Sequence, residues 1–228
     1  MNRILILDTE TTGLKPDEGA RVIEIGAVLF DVKQRDVVAQ VSFLLPSLTN
    51  EAEHINRIHP PLTMSAPDLS PELAKSFWAM VENADYVMAH NAAFDSQWFG
   101  EGGCLPAMPL PWICSMEDVS WPRNTKRGRP SVVSLALDYG VPVWSAHRAL
   151  TDCVYLAEVM KREPDLERVL EQALEPRRVY VSCLPYELRQ KCKDAGFVWN
   201  EIVPRRWAKR MTESEAAEAP FQVKLQSA

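Results

Sequence analysis

Asp8 and Glu10 are separated by a single residue, and alternation along an extended chain points such a pair to one side while Thr9 points to the other. Two acids held side by side repel each other, and a cation relieves the repulsion. Taken alone, a D-x-E is more often a solvated strand end. The chain offers two further acids, Asp95 in HNAAFD (90–95) and Asp152 in HRALTD (147–152), together with His147. Hard oxygen ligands with few nitrogens favour Mg2+ or Mn2+ over zinc. Sites of that kind serve phosphoryl chemistry, one ion activating water and a second steadying the leaving oxygen. A histidine beside them can take the proton from the water, because imidazole titrates near neutrality. Residue types and spacing lead to metal-assisted phosphodiester hydrolysis and stop there.

The elements that must position these groups follow from hydrophobic patterning. Ile4–Leu7 is an unbroken apolar run of the kind expected for a strand buried on both faces, and it delivers Asp8 and Glu10 at its end. Thr11, Thr12 and Gly13 form a polar turn that can bring backbone close to a ligand. Val22–Phe30 and Val37–Leu45 read as strands joined by the charged turn 31–36, so the first three strands make an antiparallel meander. Glu24, an acid among apolar neighbours, is expected to be a hydrogen-bonded structural residue first and a site residue second. Residues 46–69, rich in Pro, Ser and Asn, form an irregular connection carrying His59. Ser70-Pro71-Glu72 starts a helix, and Tyr86–Ala89 is a further buried strand, followed by a helix that carries Asp95. Trp112–Cys114 fits a short strand and Ser131–Tyr139 a helix. His147 stands before a last long helix whose first turns hold Asp152. Three of the four acids therefore sit at or just past strand ends, which in an open α/β sheet gather on one edge.

The 228 residues are enough for one sizeable core and a small second module. No charged-then-apolar leader and no apolar run of spanning length occurs, so the expectation is a soluble, cytoplasmic protein that does not engage a membrane. Five scattered cysteines without a C-x-x-C pair argue against a disulfide framework or zinc ribbon, and each is expected to be a small core residue. The formal net charge of −6 hides a division. Residues 177–211 carry nine Lys/Arg against three acids, whereas residues 1–176 carry fifteen bases against twenty-five acids. Such a sign change marks a boundary near 176. The expected units are 1–175, a basic Trp-bearing module at 176–211 and a flexible tail at 212–228. A second basic run, Arg123–Arg129, reads as a solvated loop, with phosphate contact as the alternative.

DTETTGL, HNAAFD and HRALTD, in this order and at these separations, resemble the three motifs of the DEDDh 3′→5′ exonucleases, which include polymerase proofreading subunits, RNase T and exonuclease X. The resemblance covers roughly residues 3–162 and is specific because three motifs occur together. It implies an α/β, RNase H-like fold: a mixed five-stranded sheet with helices on both faces, here followed by a small α+β module. It also implies two Mg2+ or Mn2+ ions held by Asp8, Glu10, Asp95 and Asp152, with Asp8 bridging them, Glu10 and Asp152 on the nucleophile's ion and Asp95 on the other. His147 is then the general base. Thr11, Gly13 and Leu14 match positions lining the pocket of the 3′-terminal nucleotide, and Asn91 and Phe94 match positions beside it. Arg57-Ile58-His59 resembles a segment ending in a substrate-contacting histidine, although Pro60-Pro61 replaces the residues usual after it.

The resemblance thus implies an enzyme releasing nucleoside 5′-monophosphates from a nucleic acid with a free 3′ end, single-stranded DNA before RNA. The alternatives are RNA 3′-end trimming of the RNase T kind and, from another class, a catalytically idle nucleic-acid-binding scaffold. Residues 177–211 loosely resemble a small Trp-bearing module appended to DNA-processing proteins. Trp199 and Trp207 are read there as core residues, with base stacking as the alternative. Their basic charge is read as a grip for phosphates, through Arg177, Arg178, Arg205, Arg206, Lys209 and Arg210.

Overall fold

A computed structural model describes residues 1–65, 70–124 and 129–226. Thr125, Lys126, Arg127 and Gly128 of the basic run, residues 66–69 of the connection and the last two residues of the expected tail lie outside the described residues, as does the side chain of Ser70, expected to cap a helix.

Five strands form the first sheet: β1 (Arg3–Thr11), β2 (Val22–Asp31), β3 (Asp36–Leu44), β4 (Tyr86–Ala89) and β5 (Trp112–Cys114). Their order is β3-β2-β1-β4-β5, with β1 antiparallel to β2, β2 antiparallel to β3, and the β1–β4 and β4–β5 pairs parallel. β1 is central because it is apolar on both faces. Ile4 and Ile6 enter one core with Val28, Phe30 and Met88, while Leu5 and Leu7 enter the other with Ala27, Leu29 and Val87. On the second face lie α3 (Ser70–Glu82), whose Phe77 meets Phe43 of β3 edge-on, and the short α4 (Ala92–Ser96). They follow the small helices α1 (Glu53–Asn56) and α2 (Pro60–Met64), which give some regular structure to the connection expected to be irregular. On the first face lie α5 (Val132–Asp138), α6 (Ala149–Arg162) and α7 (Leu166–Ala173), and α6 runs against β1 and β2. The fold is the mixed five-stranded, RNase H-like arrangement with helices on both faces.

A separate four-stranded sheet follows, from β6 (Arg178–Ser182), β7 (Val198–Trp199), β8 (Trp207–Met211) and β9 (Val223–Leu225), in the order β7-β8-β6-β9. Between β6 and β7 lie a 3-10 turn, Tyr186–Leu188, and α8 (Arg189–Asp194). The expected flexible tail is corrected. Thr212 closes a capping box with Glu215 at the head of α9 (Glu213–Ala217), and β9 pairs with β6. Polar composition hid these elements, because β9 is an edge strand whose stability comes from its partner. Cys114, Cys153 and Cys192 are buried as expected, but Cys104 and Cys183 are exposed, and all five are free thiols. No helix among the described residues is long and apolar enough to cross a membrane.

Candidate active site

The carboxylates meet where β1 runs beyond its last pairing with β4. Asp8, Glu10 and Asp152 each offer an oxygen within 4.8 Å of the others, and all three are half-buried. Asp8 and Glu10 come from one side of β1, as i and i+2 must. Asp152 arrives from the first turns of α6, and Gly26 lets it come so close. Gly26 pairs with Asp8 across β1 and β2, and a Cβ there would stand 2.2 Å from the backbone nitrogen of Leu150. Asp95 is buried behind Thr9, whose backbone N–H and hydroxyl donate to its Oδ1 at 3.0 and 2.8 Å. Thr9 therefore points away from Asp8 and Glu10, as alternation requires, and uses that direction to fix the fourth acid.

His147 is exposed, with its backbone at φ 61°, and its backbone N–H donates to Asp152 Oδ2 at 3.3 Å. The bend beside it is held from the sheet by Glu24. This carboxylate, 2% exposed, accepts from Arg148 Nε and a terminal guanidinium nitrogen at 3.0 and 2.7 Å, from Ala149 N–H at 3.1 Å and from the Ser42 hydroxyl at 3.2 Å. Glu24 has the structural role expected for it. Its partner is Arg148, a residue to which the motif pattern assigns no role.

The electrostatics call for positive charge. Burial first, then the charges of Asp95, Glu10, Asp152 and Glu24, push the Asp8 carboxyl well above the usual range. Burial, with Glu24, Asp152 and Asp95, raises Glu10 to about 8, against a lowering by Arg148. Burial raises Asp95 to about 7 despite its bonds from Thr9, and Asp152 to about 6 despite the bond from His147 N–H. Asp152 Oδ1 is buried and has no hydrogen-bond partner. An orphaned oxygen among clustered carboxylates fits a divalent cation, whose charge would reverse each of these shifts.

A cleft of about 450 Å3 opens on this cluster, lined by the four acids and His147 and by Thr11, Gly13, Leu14 and Phe94. Leu14 is 72% exposed, an apolar side chain standing at the rim. His54, Ile55 and Asn56 line it as well, the last donating to the Thr11 carbonyl at 3.1 Å. Two residues expected here are not in this lining. His59 lies outside this lining with Nδ1 2.6 Å from Glu53, and Asn91 is an exposed residue in left-handed backbone ahead of α4. The turn after α1 carries His59 away and leaves His54 facing the cleft, a reversal that motif spacing alone does not reveal. A second hollow of about 400 Å3 shares Asp8, His147 and Asp152 and is flanked by Val132, Val133 and His90. The His90 ring bridges the Ser115 hydroxyl and the Pro130 carbonyl at 2.9 and 2.8 Å.

Residues 5–160 match the family described as Exonuclease. The chain belongs to the exonuclease family. It is 32% identical over 153 residues to the DNA polymerase III subunit epsilon of Treponema pallidum (strain Nichols), covering 64% of this chain and 68% of that one. It is also 30% identical to a PolC-type DNA polymerase III of Staphylococcus saprophyticus subsp. saprophyticus, of which it spans only 10%. Among solved structures, Exonuclease X in complex with 5′ overhanging duplex DNA matches with a TM-score of 0.54 and 25% identity, over 75% of this chain and 99% of that one. The nuclease domain of 3′hExo, a DEDDh family member bound to rAMP, matches in fold with a TM-score of 0.54 at 17% identity, over 71% of this chain and 90% of that one. Residues 178–226 match a domain of unknown function, DUF8626.

Proposed function

We propose that this exonuclease removes nucleotides one at a time from the 3′ end of single-stranded DNA, releasing nucleoside 5′-monophosphates. The observation that carries the reading is the meeting of Asp8, Glu10 and Asp152 within 4.8 Å, with Asp152 Oδ1 buried and unpartnered. Asp8, Glu10, Asp95 and Asp152 would hold two Mg2+ or Mn2+ ions, as the all-oxygen donor set favours. Bound there, divalent ions supply an activated water and charge neutralisation at the leaving oxygen. His147, at the mouth of the same cleft, accepts the proton of the attacking water. Leu14 and Phe94 flank the terminal base, and the backbone from Thr11 to Gly13 approaches the sugar. The chain is read as two units, a catalytic one at 1–175 and a module from 176.

Support for DNA comes from the relatives, a DNA polymerase III subunit and Exonuclease X in complex with 5′ overhanging duplex DNA. RNA trimming is the second reading, because sugar preference depends on how the cleft treats a 2′-hydroxyl. The deciding experiment incubates the chain with 5′-labelled single-stranded DNA and RNA of equal sequence, with and without Mg2+. Stepwise laddering of the DNA is expected, laddering of RNA alone would replace the first reading by the second, and no laddering of either would overturn both.

A further inference from the structure

The two tryptophans of the C-terminal module have separate fates. Trp207 is 9% exposed and packs with Cys192, Phe197 and Met211 in the module's core. Trp199, its partner across β7 and β8, is 42% exposed, and the neighbouring Tyr186 is 60% exposed. The Tyr186 and Trp199 rings stand 6.1 Å apart at 70°, and Trp199 leans on Trp207 at 5.6 Å. A buried ring thus braces an open one. The Arg189 guanidinium lies 4.9 Å from the centre of the Tyr186 ring. The turn between β7 and β8 presents Arg205 and Arg206, both exposed, and is tied by Arg205 N–H to Asn200 Oδ1 at 2.8 Å and by Asn200 N–H to the Arg206 carbonyl at 3.0 Å.

Three other cations of the region are already engaged. Arg177 forms a two-pronged pair with Glu215 and bonds the Asp118 carbonyl, Arg129 faces Glu117 and Glu201, and half-buried Lys209 donates to the Ala195 carbonyl. Of the six phosphate-binding residues expected from sequence, Arg177 and Lys209 are therefore structural. Of the exposed arginines that remain, Arg189 stands over the Tyr186 ring and Arg205 and Arg206 lie in the turn next to Trp207, whereas Arg178 and Arg210 sit at the other end of the β6–β8 ladder.

We propose that Tyr186 and Trp199, with Arg189, Arg205 and Arg206, form a stacking platform for single-stranded nucleic acid, an inference that rests on the exonuclease reading. Rigid exposed rings accept the faces of bases in any sequence, and the arginines neutralise the phosphates between them. A duplex hides its base faces, so the platform selects single strands. Charge complementarity favours this occupant over a protein: residues 1–176 carry ten more acids than bases and repel a polyanion, whereas residues 177–211 carry six more bases than acids. Held there, the strand is kept close to the chain between successive cuts.

The test uses the full chain carrying Asp152→Asn, to stop hydrolysis, and measures anisotropy of a 5′-labelled oligothymidylate over a salt series. Tyr186→Ala is expected to weaken binding by about 5- to 150-fold, the range for removal of one stacked base, and to keep the parent melting temperature, since the ring is largely in solvent. Arg189→Gln with Arg206→Gln should flatten the slope of log affinity against log salt by about 0.7 for each phosphate that is no longer neutralised. Trp199→Ala is judged only if its melting temperature is kept; otherwise Tyr186→Ala and the arginine pair decide. Unchanged affinity and salt slope in those variants would overturn the platform, as would equal weakening for a long blunt duplex, whose base faces are hidden except at its two ends. Laddering by the unsubstituted chain judges the exonuclease reading separately.

Discussion

Asp152 Oδ1 is the atom with most at stake, because it is buried, anionic when the site works, and without a partner from the chain. Asp8→Asn or Asp152→Asn is expected to abolish hydrolysis at any Mg2+ concentration, since a ligand charge is gone. Each should also raise the melting temperature of the metal-free protein, because like-charge repulsion is relieved. Retained hydrolysis in either variant at saturating Mg2+ would refute the assignment. His147 makes a different kind of contribution. His147→Ala should lower turnover roughly 10²–10⁴-fold, the usual worth of a positioned base. Metal binding, read by calorimetry, should be kept, as only the backbone N–H of His147 touches Asp152. Arg148 acts at one remove. Arg148→Ala takes two donors from buried Glu24 and frees the bend that carries His147. A misplacement of about 1 Å costs on the order of 10²-fold in turnover, with substrate binding little changed, so kcat and KM measured together would separate this from removal of a group that touches substrate.

At the scale of elements, the site depends on how closely α6 approaches β2. Gly26→Ala would drive a methyl into the backbone of Ala149 and Leu150. Relief requires α6 to slide outward, which costs about 1–3 kcal/mol by overpacking and moves Asp152 from Asp8. Denaturant melts and single-turnover rates should both fall, and a variant with native turnover would show that the contact is slack. Much of this is legible in the sequence. The unbroken apolar run Ile4–Leu7 announces a strand buried on both faces, and three motifs announce which acids converge. Gly26 is visible too, since a glycine inside a strand marks close backbone approach, yet nothing in the pattern says which element approaches. His54 and His59 lie five residues apart in one polar stretch, and the αL turn at Arg57 decides which faces the cleft. The folded tail escapes a reading of the sequence because α9 and β9 are short and polar, and owe their order to a capping box and to pairing with β6. Periodicity reports what is buried, and such elements bury little.

For the whole molecule, the acid cluster couples folding to pH and to metal. Glu10, Asp95 and Asp152 titrate in the folded protein at about 8, 7 and 6, above their ordinary 4.5, 3.8 and 3.8, and Asp8 is raised as well. A carboxyl raised on folding holds a proton that the unfolded chain has released, so the folded state binds more protons between the two values. Stability must then fall as pH rises through that window. The metal-free protein is expected to lose melting temperature from about pH 4 to about pH 8 and to level off above, once the folded carboxyls are themselves ionised. Divalent cations bind the ionised set, so Mg2+ or Mn2+ should raise the melting temperature strongly near pH 8 and weakly near pH 5. Thermal melts in chelator and in each ion across this range, with Asp8→Asn as comparison, make the check. The variant should show a shallower decline with pH and a smaller response to either ion. A melting temperature in chelator that climbed steadily from pH 4 to pH 8, or a response to Mg2+ equal at both ends, would mean that these carboxylates are not the metal's ligands.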